Sequence, residues 1–347
     1  MRFSVIMPTR DRPALFAQAL ASVLAQTGVA YEVVIVIDGL SADHAQAYHR
    51  ILADAGARLG DRLKQIELPR RAHGHGPSFA LNTGALAATG DYLAFLDDDD
   101  VWIDAAHLAR AEAALAGAQP PVDLYLSNQR AWCGDVPDAE MLWLGPLADQ
   151  LRRAGRSADA SRHYTVSRAE LLQTPGFAHV NTLIVRRALW LELGGMDEMI
   201  RWEGDRELYL RLIDVAGVML FSPCEIARHN VPDPAQRTNV TTQTSPLQRH
   251  EWQARVFAKV AAHAQHAEIR AHARQHHGYA LQKIAEDLAQ AGDWAGAAHY
   301  ARAGHGARPS PAGLGRSLYF TLRSWGAPRQ ERIIAIRRHP KPKNDTC

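Results

Sequence analysis

Three observations predict an α/β chain: a mostly parallel sheet with helices on both faces, followed by a small α-helical C-terminal region. Strand and helix signals alternate through the first half, as they do when helices cross over between parallel strands. Several strand-length runs are apolar or nearly so, among them EVVIVI at 32–37, where only Glu32 is charged, and YLAFL at 92–96. Such runs suit strands covered on both faces. From Leu247 to Gly304 the composition shifts to Ala, His and Gln with helical periodicity. The change of character predicts a first domain over 1–235 and a helical region over 236–347.

The first strand is expected at 3–7. A helix at 13–24 follows, with Leu15, Ala19, Leu20 and Val23 on its apolar side. A strand at 32–37, a polar helix, a strand near 63–68 and a helix at 79–88 lead to the strand at 92–96. Beyond it, DLYLS at 123–127 and NTLIV at 181–185 read as strands, with a helix at 206–215 and short strands at 219–221 and 225–228. The stretch 132–164 is irregular and too long for a plain connection, which suggests a functional loop or insertion. Pro232, Pro234 and Pro246 mark a mobile segment or a boundary. A helical hairpin is expected at 279–290 and 294–303, turning at Gly292-Asp293; one such pair resembles a single tetratricopeptide unit, without a second copy.

With 347 residues, 47% apolar and 22% charged, the chain can bury a substantial core. A net charge of +2 gives no global reason to expect nucleic acid as a partner. The 3 cysteines are odd in number and far apart, which argues against a disulfide framework and for a reducing, cytoplasmic setting. The start MRFSVIMPTRDRP has no secretory h-region, and no apolar stretch is long enough to span a bilayer. His272 and His276 stand at i, i+4 without a paired cysteine or carboxylate, so they read as a solvated helix face. The segment from Leu314 to Lys343 mixes apolar and basic residues. It fits either peripheral contact with an anionic membrane or packing against the domain.

The most informative feature is DDDD at 97–100, directly after an apolar strand. Ligand-binding residues sit at the carboxyl ends of strands in open α/β sheets. Four carboxylates there repel one another unless a cation lies among them, and oxygen ligands favour Mg²⁺ or Mn²⁺. The plainer alternative is a solvated acidic loop, with Asp100 or Asp104 capping the helix that follows. Asp38 ends the strand at 32–37, where it either accepts from a ligand or closes an Asx turn at Gly39. Gly74-His75-Gly76 precedes a helix, but Phe79 stands where a dinucleotide fingerprint needs its third glycine.

In order along the chain, these segments resemble the inverting nucleotide-sugar glycosyltransferases of family 2, which have the GT-A fold. Val5-Ile6-Met7-Pro8-Thr9-Arg10-Asp11-Arg12 is similar to the family's first strand and turn. Residues 32–43 are similar to its VDDGSTD segment, with Ile37 and Leu40 departing from it. The stretch from Asn82-Thr83-Gly84 to Trp102 resembles the approach to its metal motif. Gly194-Gly195-Met196-Asp197-Glu198 resembles GGFDE, and residues 204–212 resemble EDxDLxLRL. The likeness runs from Phe3 to about Asn230.

The resemblance implies a nucleoside-diphosphate sugar donor and a hydroxyl acceptor, a glycan or a glycolipid. It also implies a divalent cation, Mn²⁺ or Mg²⁺, that assists departure of the diphosphate. Pro8, Thr9, Arg10, Asp38, Asn82, Asp97 and Asp98 would meet the nucleotide. Asp97 and Asp99 would hold the metal, with His229 as a further ligand or a structural histidine. Asp205 would be the catalytic base, or else an ordinary helix residue; Gly204 departs from the family's usual Glu, while Glu203 lies one position earlier. Two alternatives stand beside this reading: a non-catalytic nucleotide-sugar-binding scaffold and a sugar-nucleotidyltransferase. The glycine-free turn Pro8–Arg12 counts against the second.

Overall fold

Every residue of β1 (Phe3–Thr9) and β2 (Tyr31–Ile37) is buried, so each strand must be covered on both faces. Side chains alternate across a strand. Ile6 and Val34, with Leu93 and Phe95, therefore enter one core, and Val5, Met7, Val33 and Ile35 enter the other. A computed structural model describes residues 2–138, 143–159, 162–231 and 240–326.

After β1 come α1 (Pro13–Leu24), β2, α2 (Ala42–Leu59), β3 (Leu63–Glu67), α3 (Pro77–Ala87) and β4 (Tyr92–Phe95). Next are β5 (Val101–Trp102), α4 (His107–Leu115), β6 (Leu124–Cys133), β7 (Val136–Pro137), α5 (Gly145–Arg153), β8 (Tyr164–Thr165) and α6 (Arg168–Gln173). The remainder is β9 (Leu183–Arg186), α7 (Arg187–Glu192), α8 (Gly204–Val215), β10 (Met219–Asn230), α9 (Val240–Gln243), α10 (Pro246–His263), α11 (Ala267–Gln290), α12 (Trp294–Ala307) and α13 (Pro311–Gly326). Sheet order is β3-β2-β1-β4-β9-β6-β10-β5, with β7 on β6 and β8 on β10. Helices α1, α2 and α4 cover one face; α3, α5, α7 and α8 cover the other.

The parallel character holds for β1 to β4 and for β6 beside β10. Between them β9 runs antiparallel to both β4 and β6, so the sheet is mixed. The two short strands expected at 219–221 and 225–228 are one strand, β10, whose register shifts between Phe221 and Glu225. Pro223, which has no N–H to give, sits in that irregularity. The stretch 132–164 is less irregular than expected. It holds α5, which starts at Gly145-Pro146 and buries Leu147 and Leu151. Gly84 of α3 is required by close approach, since a Cβ there would collide with Ile6 of β1.

Phe257 and Val260 of α10 and Ile269 and Ala273 of α11 belong to the same core as the sheet. The expected hairpin is present as α11 and α12, with Asp293 accepting from Gly296 N at 2.9 Å. His272 and His276 are not a solvated face: their rings lie 4.2 Å apart, and His276 stacks on Phe257 at 5.0 Å. Burial lowers the His272 pKa to about 4. The boundary at 235/236 and the basic residues after Gly326 lie outside the described residues. No helix among the described residues is long and apolar enough to cross a membrane.

Glu32 carries a pH signature remote from the cleft. Its buried carboxylate accepts from Ser4 Oγ (2.6 Å), Thr89 N (2.6 Å) and Thr89 Oγ1 (2.9 Å), and pairs with Lys64 (3.1 Å). Burial alone would raise its pKa, but these partners hold it at about 2. The stabilisation is complete above the ordinary glutamate value and is lost as pH falls toward 2. We expect roughly 3 kcal/mol to disappear across that window, and Glu32→Gln to be less stable at neutral pH with a flatter acid limb. Urea midpoints from pH 5 to pH 2 check this; parallel curves for the two proteins would refute it.

Candidate active site

The carboxyl ends of β1, β2 and β4 open onto one cleft. At β1, Thr9 Oγ1 lies 2.7 Å from both Tyr48 Oη and Asp98 Oδ2, and Arg10 N donates to Asp98 at 3.3 Å. Arg12 bridges two of the aspartates, reaching Asp99 at 2.6 Å and Asp98 at 2.5 Å. Burial drives Asp98 up to about 6 even with Arg12 beside it.

At β2, Asp38 accepts from His75 N (2.8 Å), His75 Nδ1 (2.7 Å) and Gly76 N (3.0 Å). Burial would raise its pKa, but these donors hold it below the ordinary carboxylate range. Arg10 stands 3.8 Å from Asp38 and donates to Arg71 O and Ala72 O. Gly74 (φ +69) makes this crossing possible, because a side chain there would strike both Arg10 and Asp38.

The third corner surrounds β4. Asp97 is raised well above the ordinary carboxylate value by burial and then by Asp99, Asp100, Asp205 and Asp98. Asp205 lies in the first turn of α8, where the helix dipole favours a carboxylate. Burial and the neighbouring Glu203 raise its pKa to about 6. His179 joins the two: its Nε2 lies 3.2 Å from Asp205 and 4.0 Å from Asp97. His179 Nδ1 accepts from Asn181 N at 3.4 Å, which leaves Nε2 facing Asp205 and Asp97. Burial lowers the His179 pKa and keeps the ring neutral.

His229, near the end of β10, presents Nδ1 to Asp100 at 2.8 Å. A carboxylate on one ring nitrogen is the arrangement that orients a metal-binding imidazole. Asp100, His179 and His229 each offer one ligand atom, all within 4.8 Å of one another. The crowd of carboxylates, the elevated Asp97 and this oriented histidine suit a divalent cation. Trp143 meets the rings of His179 (5.9 Å) and His229 (5.1 Å) edge-on.

The family profile described as glycosyl transferase family 2 matches residues 4–180, a little over half of the chain. The chain belongs to that family. A mycobacterial PGL/p-HBAD biosynthesis glycosyltransferase (Mycobacterium tuberculosis) is 38% identical over 122 residues, 35% of this chain and 44% of that protein. An uncharacterized glycosyltransferase of Nostoc sp. is 37% identical over 102 residues, 29% of either chain. The chain thus spans less than half the length of these family members. Among solved structures, S. aureus TarS 1-349 in complex with UDP superposes with a TM-score of 0.59 at 18% identity, covering 93% of this chain and 88% of that one. The mannosyltransferase PcManGT from Pyrobaculum calidifontis, in complex with GDP-Man and Mn²⁺, gives 0.55 at 20% identity over 94% and 86%. At such identities the likeness establishes the fold, which is of the GT-A type.

Within the family's cleft, the expected residues fall into three groups. Asp97, Asp205 and His229 converge on one cavity, while Pro8, Thr9, Arg10 and Asp38 gather at the ends of β1 and β2. Asp98 and Asn82, expected at the nucleotide, are engaged by partners within the protein. Asp98 is 2% exposed and turned inward onto Thr9 and Arg12. The Asn82 amide is committed to Met196 N (2.8 Å), Met196 O (2.9 Å) and Glu198 (2.9 Å), which clamps that turn onto α3. The expected ligand trio Asp97, Asp99 and His229 shares only His229 with the group whose donor atoms already converge. His179, Trp143 and Arg12 escaped the sequence reading.

Proposed function

We propose that the chain transfers a sugar from a nucleoside-diphosphate sugar to the hydroxyl of a glycan or glycolipid acceptor, with inversion at the anomeric carbon. The observation that carries this reading is the convergence of Asp97 and Asp205 on His179, at the mouth of a cleft floored by the ends of parallel strands. The nucleotide lies over Pro8, Thr9, Arg10 and Asp38. Asp97 and Asp99, with His229, would hold Mn²⁺ or Mg²⁺. A divalent cation there offsets the charge of the diphosphate and makes it a better leaving group.

The chain's own groups do the rest. Asp205 takes the acceptor hydroxyl's proton as its oxygen bonds to the anomeric carbon, while the carbon–oxygen bond to the diphosphate breaks and its electron pair leaves with the diphosphate. His179, whose Nε2 lies 3.2 Å from Asp205 Oδ2, packs beside the carboxylate and limits its movement. Glu203 is a poorer base because it is engaged by Arg206 and by Gln253 Nε2 at 3.1 Å. Residues 1–235 form the transferase unit and 236–347 an attached helical region.

The helical region supports peripheral contact with an anionic membrane at its cytoplasmic face. Leu314, Leu318, Leu322 and Trp325 form an exposed stripe on α13, and Arg329, Arg332, Arg337, Arg338, Lys341 and Lys343 follow in the sequence. The protein is expected to sediment with phosphatidylglycerol vesicles but not with phosphatidylcholine, and Trp325→Ser to weaken that binding. Equal recovery in both supernatants would remove the membrane contact.

The reading as a whole is tested by calorimetric titration of UDP-, GDP- and dTDP-sugars with and without Mn²⁺, followed by NMR of the product's anomeric configuration. One donor should bind in a metal-dependent way and yield an inverted product. Binding without turnover would favour a scaffold; no binding of any donor would overturn the reading.

A further inference from the structure

A cavity of about 510 Å³ adjoins Asp97 and Asp205, large enough for a small-molecule ligand. Its lining combines two chemistries. Asp97, Asp205, His179 and His229 supply the polar part. Much of the remainder is apolar: Leu81, Phe177, Val180, Met196, Ile200 and Trp202, here called its apolar end or wall. Two of the charged groups bordering that wall are engaged: Glu203 pairs with Arg206, and the Arg206 guanidinium lies 4.3 Å from the Phe177 ring centre. Among the described residues, Ser78, the exposed Arg201 and the Trp202 indole N–H are the other polar side-chain groups there.

A sugar unit pushed into this end would surrender water from several hydroxyls and find few partners, and unpaired buried hydroxyls are costly. An alkyl or aryl group would lose only unfavourable contact with water. We infer that the acceptor carries an apolar group, alkyl or aryl, next to the hydroxyl that Asp205 deprotonates, and that this group fills the apolar end of the cavity. The inference rests on the transfer reading above and narrows its acceptor. It divides the labour of the cleft: the strand ends take the charged donor, and the wall formed by α3 with residues 177–180 and 196–202 selects the acceptor by its apolar part.

The test uses the full chain with Mn²⁺ and its donor, and offers glucose and the methyl, butyl, hexyl and octyl β-glucosides, each below its micelle concentration. Quenching of tryptophan emission reports binding and nucleoside diphosphate release reports turnover. The dissociation constant should fall about fourfold for each added methylene until the cavity is full. In Ile200→Asn the gain from methyl to octyl should shrink at least tenfold, with the melting temperature reporting that the variant is folded. Constants that do not change along the wild-type series, or no binding of any member, would overturn the inference. Donor binding measured in the same preparation separates the two failures: a chain that binds its donor but ignores the alkyl chain loses only this inference, whereas a chain that binds no donor loses the transfer reading.

Discussion

Asp205→Asn is expected to lower kcat for sugar transfer by ~10²–10⁴-fold, the usual worth of a positioned general base. Asparagine keeps the size of the side chain and its place beside His179 Nε2, which lies 3.2 Å from Asp205 in the native protein. It cannot take a proton. The native carboxylate is suited to the task because burial and Glu203 raise its pKa to about 6. That makes it a stronger base than a solvent-exposed aspartate while leaving it ionised at neutral pH. The donor meets the other side of the cleft, so the variant should still bind it by calorimetry. A variant retaining more than a tenth of wild-type kcat would remove Asp205 from the role. If Glu203→Gln abolished transfer and Asp205→Asn did not, the base would be Glu203, despite its pairing with Arg206 and Gln253.

The strands that floor the cleft were readable because burial on both faces leaves a nearly unbroken apolar run, as in residues 33–37 of β2 and in β4. The aspartates were readable because four like charges after such a run need partners to compensate them, and Asp98 and Asp100 are buried against theirs. Strand direction was not readable. Nothing local in Leu183–Arg186 distinguishes a parallel from an antiparallel neighbour, and β9 pairs antiparallel on both sides because of where the chain enters it. That entry also hid His179. A lone histidine before a strand carries no signal until β9 lies beside β4 and brings the ring to Asp97 and Asp205. His272 and His276 misled for the same reason, since stacking on Phe257 is a tertiary fact. The start of α5 was legible in retrospect from Gly145-Pro146 and the spacing of Leu147 and Leu151.

Asp100 is the aspartate whose removal should do most damage to the fold. Its side chain is fully buried, and it accepts from Asn181 Nδ2 (2.5 Å), His229 Nδ1 (2.8 Å) and Asn230 N (2.7 Å). It therefore caps no helix. It joins the exit of β4 to the end of β10 and to the turn that enters β9. In Asp100→Ala three donors lose their acceptor at once, one of them on a histidine whose pKa Asp100 raises against the effect of burial. Leaving a buried partner uncompensated costs about 3–5 kcal/mol, and we expect a loss near the lower end, about 3 kcal/mol, because His229 is partly exposed. Asp100→Asn, which keeps one acceptor oxygen, should cost less. Urea unfolding of the three proteins measures the difference, and a loss below about 1 kcal/mol in the alanine variant would show that these contacts do not tie the strands together. The consequence for the cleft runs through Asn181: its Oδ1 accepts from Asp97 N at 2.9 Å while its Nδ2 donates to Asp100. Without Asp100 that amide is free to turn, and the backbone that sets Asp97 opposite Asp205 loses its anchor.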